Sequence, residues 1–424
     1  MTPANTSTVP ASESMTGSSA RWTSASGECL GAFRAWQARV SAATTYLFFE
    51  IETSEGRVGT GEATMSRDDE ETARIAEALF RELVAGHPVA QIPALLTRCA
   101  TAVGLRPNRS AGTALSGLEH CLLDLRGQAL GLPIYELLGG PQRERVRLYA
   151  NINRGMFGTD RSPEVFAETA IRVRDEGFSV LKIAPFDHVR PGTAPDDPAV
   201  RAGIARIAAV RAAVGDTFGI LVDCHGRLGS QTCYAILPEL IDLRLGWLED
   251  PFVTHVDMQA GDPPGSGNLP LTYVPPVPLT DLQELARRSP LPLSGAEFEF
   301  GLQSFKEILD TGALSFIMAD VKHCGGISAA RAIGELAGSY GAKLAPHNPS
   351  GPIATVASMH VSLATPSFEI LEYQWGEVAQ RDHMITPGEG FDRGWLTPSG
   401  KPGLGVAIDH EGLAAYATSV TRLA

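Results

Sequence analysis

Two textures of hydrophobic and polar patterning divide the chain. From about residue 27 to 140, strands come first and helices follow. Segments 43–51 (ATTYLFFEI) and 56–62 (GRVGTGE) predict a hairpin with its turn around 54–56. Segments 69–85 and 111–130 predict helices. In the second, Leu115, Leu118, Leu122 and Leu125 recur every three or four residues and form a core stripe. Gly139-Gly140-Pro141 ends this α+β block. Past Val146 short apolar runs alternate with helical segments such as 198–214 and 328–340. The runs are VRLYANI (146–152), SVLKIAP (179–185), GILVDCH (219–225), LGWLED (245–250), PLSGAE (292–297), FIMADV (316–321), KLAPHN (343–348) and EILEYQ (369–374). Eight strands with helical crossovers predict an α/β fold built on a parallel barrel. The competing arrangement is a doubly wound open sheet, but no glycine fingerprint follows the first run to support a dinucleotide site.

Composition narrows the picture. In 424 residues, 44% are hydrophobic and 20% charged, which suits large buried cores. The 35 basic and 48 acidic residues give a net charge of −13, which argues against a general nucleic-acid binder or an anionic membrane surface. No apolar run is long enough to span a bilayer. Six cysteines in a chain of this length make no disulfide framework and point to a reducing, cytoplasmic setting. Residues 1–26 hold twelve Ser or Thr and a single Arg, and read as a disordered leader without a secretory signal's apolar core. One interval is long: 48 residues separate Glu249 from Glu297, against 26 from Asp223 to Glu249. The excess, at 257–276, is rich in Pro and Gly and reads as an inserted loop on the barrel's C-terminal rim.

Polar residues gather at the C-terminal ends of the runs: Lys182, Asp223 with His225, Glu249 with Asp250, Glu297, Asp320, His347 and Glu372. A barrel places all of those ends around one mouth. Asp223, Glu249 and Glu297, on three successive strands, would repel at about 4 kcal/mol per pair at ~4 Å and an effective dielectric of about 20. A hard divalent cation resolves this, and an all-oxygen donor set favours Mg²⁺ over zinc. The plain alternative is a hydrogen-bonded rim network. Asp320 precedes His347 by one strand, close enough to fix the imidazole's tautomer and raise its basicity. His225, two residues past Asp223, is expected on the same strand face, as a general acid or a donor beside the metal. Lys182 reads as a base, an anchor for a carboxylate, or a salt-bridge partner.

The segment ALSGLEHCLLDLRGQALGLPIYELLGG (114–140), then DCHGR (223–227), WLEDPF (247–252), GAE (295–297), ADVKHCGGI (319–327), APHNPSGPI (345–353) and PGLGVAID (402–409) resemble, in order, the motifs of the enolase superfamily in its mandelate racemase-like branch. The resemblance runs from about 27 to 420. It implies an N-terminal α+β capping domain (27–145), a modified TIM barrel of (β/α)₇β form (146–395), and a C-terminal segment (396–424) that returns to the cap. It also implies Mg²⁺ on Asp223, Glu249 and Glu297, a His347–Asp320 base dyad, and Glu372 against the substrate carboxylate or its developing charge. Family members abstract the proton alpha to a carboxylate and form a metal-stabilised enediolate.

Two departures refine the expectation. The family often has Lys-x-Lys on the second barrel strand, whereas this chain has Lys182-Ile183-Ala184, so a two-base racemase using a second lysine is disfavoured. His225 stands where racemases of the family commonly have Asn, and resembles acid-sugar dehydratases acting on aldonates such as galactonate. The expected reaction takes a 2,3-dihydroxy acid to a 2-keto-3-deoxy acid plus water, with His347 removing the alpha proton and His225 protonating the departing hydroxyl. The alternatives are a cycloisomerase or a racemase/epimerase using the same machinery, or a sugar-acid sensor without turnover. Around 30–40 (LGAFRAWQARV) a cap loop is expected, where Arg34 and Trp36, with Arg39, either meet the distal end of the substrate or lie on the surface. The expected partners are a small carboxylate substrate and further copies of the chain.

Overall fold

The computed structural model describes residues 27–65, 68–156, 160–254 and 276–424. The expected leader at 1–26, and the insertion up to residue 275, lie outside the described residues. The chain begins with an antiparallel sheet of β1 (Leu30–Arg39), β2 (Thr45–Thr53) and β3 (Val58–Glu62), joined at the far edge of β1 by the strand Ser419–Arg422. Helices α1 (Asp69–Leu79), α2 (Ile92–Val103) and α3 (Arg109–Leu130) cover one face of the sheet. The 43–62 hairpin turns as expected, with Gly56 at φ 81° and its N–H donated to the Thr53 carbonyl at 2.9 Å.

Three expectations for this block need correction. Segment 30–40 is not a loop. It is β1, whose alternation is interrupted by a bulge between Leu30 and Ala32. The helix expected over 69–85 ends at Leu79 and widens into a π turn over Phe80–Val84. Helix α2 forms where no element was read, because its buried stripe is only Ile92, Leu95 and Cys99.

After the short helix α4 (Ile134–Leu137), eight parallel strands follow: β4 (Val146–Asn151), β5 (Val180–Ile183), β6 (Gly219–Asp223), β7 (Trp247–Glu249), β8 (Leu293–Gly295), β9 (Phe316–Ile317), β10 (Lys343–Leu344) and β11 (Leu371–Gln374). Each coincides with one of the eight runs. They pair in sequence from β4 to β10; β11 pairs back to β4, and a Leu344–Phe368 bridge closes the ring. Helices α5 (Pro163–Asp175), α6 (Pro198–Val214), α7 (Ser230–Asp242), α8 (Leu279–Arg288), α9 (Gly301–Leu309), α10 (Ile327–Ser339) and α11 (Pro352–Ala364) connect them.

The lumen follows a simple rule. Tyr149, Val180, Leu221, Trp247, Met318, Ala345 and Ile370 form one small buried cluster of their own. Two positions beyond each stands a polar residue: Asn151, Lys182, Asp223, Glu249, Asp320, His347 and Glu372. Side chains two apart on a strand share a face, so an apolar plug underlies a polar layer at the mouth.

Cap and barrel are joined by buried carboxylates set on helix starts. Glu62 of β3 accepts from Gly351 N at 2.7 Å and Ala354 N at 2.8 Å, where α11 begins. Glu119 of α3 accepts from Ile327 N and Ser328 N, both at 2.9 Å, where α10 begins. Carboxyl oxygens at a helix N-terminus satisfy otherwise orphaned N–H groups. The approach is so close that a Cβ on Gly351 would lie 2.7 Å from Glu62 Oε1, and one on Gly326 2.4 Å from Glu119 Oε2. Asp124 reaches Thr60 N at 2.9 Å and Leu404 N at 2.8 Å, tying the returning C-terminal segment to α3.

Candidate active site

Parallel register sets Asp223 opposite Glu249, and Glu249 opposite Ser294, so Glu297 lies three residues past the paired position on β8. Each of these three strands is followed by a left-handed, non-glycine residue: His225 at φ 47°, Asp250 at φ 38° and Ala296 at φ 80°. Such backbone costs on the order of 1–3 kcal/mol per residue and concentrates at functional sites. It turns the chain sharply at the rim instead of letting it run on as strand.

Lys182 is fully buried among acids. Its Nζ lies 2.6 Å from Glu249 Oε1, 3.0 Å from Glu372 Oε1 and 3.7 Å from Asp223 Oδ2. Burial alone would strip its charge, but Glu249 and Glu372 outweigh that and hold its pKa well above the ordinary lysine value. Glu372 is saturated as well. Asn151 Nδ2 donates to one oxygen at 2.5 Å and Asn348 N to the other at 2.9 Å. Burial would raise its pKa, yet Lys182 and His347 lower it.

His347 Nδ1 lies 2.8 Å from Asp320 Oδ2, and its Nε2 lies 3.1 Å from Glu297 Oε2. Lys322 Nζ shares the same Asp320 oxygen at 2.5 Å. Burial opposes charge on Asp320, but Lys322, His323 and the His347 bond together keep its carboxyl well below the usual range. On the other side, His225 Nε2 lies 3.0 Å from Asp223 Oδ2 and its Nδ1 2.8 Å from Asp187 Oδ1. Both contacts are satisfied only when both ring nitrogens carry protons. Accordingly, the pull of Asp223 and Asp187 overcomes burial and raises the His225 pKa well above its ordinary value. The expected reason for its position does not hold. The strand ends at Asp223, and His225 reaches the mouth through a left-handed turn in which its own N–H bonds Asp223 Oδ1 at 2.9 Å.

The expected metal ligands are brought to one mouth, but not into a cage. Among the described residues, no three His, Cys, Asp or Glu side chains converge as a metal site. Asp223 and Glu249 turn to Lys182, and Glu297 to His347. The donor set is nevertheless of the right chemistry for a hard cation. Burial, then repulsion from Asp223, pushes the Glu249 carboxyl well above the usual range; Asp250 is raised by burial, then by Glu297 and Asp223. Negative charge here exceeds what Lys182 balances.

Arg34 and Trp36 stand elsewhere in the contact network. Arg34 pairs with Glu52 on the neighbouring strand, and Trp36 Nε1 donates to Glu50 Oε2 at 2.6 Å, with its ring against His410. Those partners belong to the cap sheet and the C-terminal segment, not to the barrel strand ends. Sequence reading missed Asp187, Asn151, Asn348 and Lys322. Lys322 and Asn348 lie inside quoted motifs, Asn151 sits at the end of a predicted run, and only Asp187 lay without a pattern to mark it.

Comparison with known proteins covers both halves. Residues 35–139 match the family described as mandelate racemase / muconate lactonizing enzyme, N-terminal domain, and residues 165–260 and 274–412 match enolase C-terminal domain-like. D-galactonate dehydratase of Verminephrobacter eiseniae is 31% identical over 386 residues, spanning 88% of this chain and 92% of that protein. D-galactonate dehydratase of Ralstonia pickettii is 30% identical over 392 residues, with the same coverage of 88% and 92%. Among solved structures, an enolase superfamily member from Salmonella Typhimurium superposes with a TM-score of 0.79 at 21% identity, covering 93% of this chain and 99% of that one. A mandelate racemase/muconate lactonizing enzyme from Jannaschia sp. CCS1 gives a TM-score of 0.78 at 23% identity, covering 92% and 98%. At those identities the structures speak to fold alone.

Proposed function

From the premise that the chain belongs to the mandelate racemase / muconate lactonizing enzyme family of the enolase superfamily, we propose that it is an acid-sugar dehydratase. The observation that carries this reading is a pair of carboxylate-held imidazoles on opposite sides of one mouth. His225 follows β6 and His347 follows β10, four staves apart in a ring of eight. Family membership implies a divalent metal, typically Mg²⁺. Asp223, Glu249 and Glu297 would hold it, and bound there it supplies a fixed positive charge to the substrate carboxylate.

The rest is done by side chains of this chain. Asp320 holds Nδ1 of His347, and Nε2, 3.1 Å from Glu297 Oε2, is the nitrogen that takes the proton alpha to the carboxylate. His225, doubly held as an imidazolium, gives a proton to the beta-hydroxyl as it leaves. Lys182, tied to Glu249 and Glu372, serves as their buried counter-charge and not as a base, and Glu372 serves as a fixed acceptor. The products are a 2-keto-3-deoxy acid and water. The D-galactonate dehydratases at about 30% identity support an aldonate as the substrate class. The same two imidazoles would also serve an epimerase.

One incubation separates these readings. In ²H₂O with Mg²⁺ and a panel of mono- and diacid sugars, the dehydratase yields a semicarbazide-reactive 2-keto acid. Inverted or merely deuterated substrate, with no keto acid from any sugar, would remove the dehydratase reading in favour of the epimerase.

A further inference from the structure

Asp187 belongs to none of the expected machinery, yet the loop that carries it is built to hold it still. After β5 the chain runs Ala184-Pro185-Phe186-Asp187. Phe186 is completely buried, and Gly203 of α6 leaves room for its ring: a Cβ there would lie 2.4 Å from Phe186 Cδ1. Arg206, one helical turn farther on, donates Nη1 to the Pro185 carbonyl at 2.7 Å and Nε to the Arg161 carbonyl at 2.6 Å. Val189 N closes the turn onto the Phe186 carbonyl at 2.8 Å. The loop is therefore anchored on both sides of Asp187, whose Oδ1 meets His225 Nδ1 at 2.8 Å.

We infer that Asp187 is the positioning residue of His225, so that the mouth holds two opposed carboxylate–imidazole pairs, Asp187–His225 facing Asp320–His347. A carboxylate on Nδ1 fixes which nitrogen is turned away from the substrate and stops the ring from flipping. It matters here because His225 sits on a left-handed turn with 30% of its side chain exposed, and its other ring nitrogen lies at the mouth, 3.0 Å from Asp223 Oδ2. Asp187 also takes the place in the fold that follows Ala184, where the lysine pair is broken. The loop after β5 would then act through the acid on β6 instead of supplying a base of its own.

This inference rests on the dehydratase reading for its kinetic consequence, but not for its geometry, and the experiment keeps the two apart. Asp187→Asn, Asp187→Ala and Asp187→Glu are compared with the full-length wild type, using D-galactonate in ²H₂O with Mg²⁺. The Asn and Ala variants should lose keto-acid formation by at least about tenfold while alpha-deuterium exchange continues, and Glu should restore part of the loss. Exchange and dehydration falling in parallel, or neither changing, would overturn the role. Should wild type turn over neither D-galactonate nor any other acid sugar, the dehydratase reading fails, and ¹⁵N-histidine NMR decides the positioning claim alone. The His225 ring resonances, assigned by loss in His225→Asn, should show a protonated Nδ1 in wild type and a changed nitrogen pattern in Asp187→Asn. An unchanged pattern sinks it.

Discussion

Single side chains at the mouth divide the proposed chemistry into steps that can be separated. His347 has Asp320 on Nδ1 and turns Nε2, the nitrogen proposed to take the proton, toward Glu297, so His347→Asn should abolish alpha-proton exchange, by about 10²-fold or more. In the proposed order His225 acts after proton abstraction; His225→Asn should therefore stop keto-acid release while exchange, followed by NMR, continues. Near-wild-type exchange in the first variant, or dehydration in the second, removes that role. Glu249 bears on the cation. Its carboxylate lies 2.6 Å from Lys182 Nζ and 3.0 Å from Trp247 Nε1, so Glu249→Gln keeps a polar group in place but removes the charge. Calorimetry should show weakened Mg²⁺ binding, and unchanged affinity would exclude Glu249 as a ligand. The polar strand ends are legible in the sequence because each interrupts an apolar run at an equivalent point. Asp187 is not, because it lies in an irregular loop and meets a residue 38 positions away.

At the scale of elements, the barrel strands are legible because seven of the eight couple an apolar lumen residue to a polar one two positions later. The cap is less so: a bulge breaks the alternation of β1, and α2 buries too few residues to announce itself. Nothing in the local pattern marks Glu62 and Glu119 as interdomain capping groups, since their partners begin helices more than 200 positions on. These contacts have a pH signature. Burial pushes the Glu119 carboxyl from an ordinary 4.5 up to about 7, against the pull of the Ser328 and Ile327 N–H groups, and that of Asp124 to about 6. The folded chain therefore binds these protons more readily than the unfolded one. Glu119's contribution to stability is complete below about pH 4.5 and declines as pH rises through about 7, and Asp124's declines through about 6. Glu119→Gln cannot titrate, so the fall in melting temperature between pH 5 and 7.5, followed by circular dichroism, should shrink by about 2 °C. An unaltered slope would show that Glu119 does not carry it.

For the whole molecule, the two ends of the described chain meet in one sheet. The strand Ser419–Arg422 pairs with β1, and Ala35 and Leu423–Ala424 exchange further backbone bonds of 2.9 and 3.1 Å. Removing residues 419–424 uncovers an edge of β1, so the truncated chain should melt several degrees lower, at about 1 °C or more per lost kcal/mol, and self-associate in size-exclusion chromatography. A monodisperse variant with wild-type melting would argue that the pairing contributes little. The carboxylate clasps between cap and barrel bear on protein engineering. The Glu62 and Glu119 clasps grip the helices that directly follow the loops carrying His347 and Asp320. A chimera that set a foreign lid on this scaffold to acquire a new substrate range would disturb the proposed base, His347, before it touched specificity. Transplants should move Glu62, Glu119 and Asp124 as a set with their receiving glycines and turns.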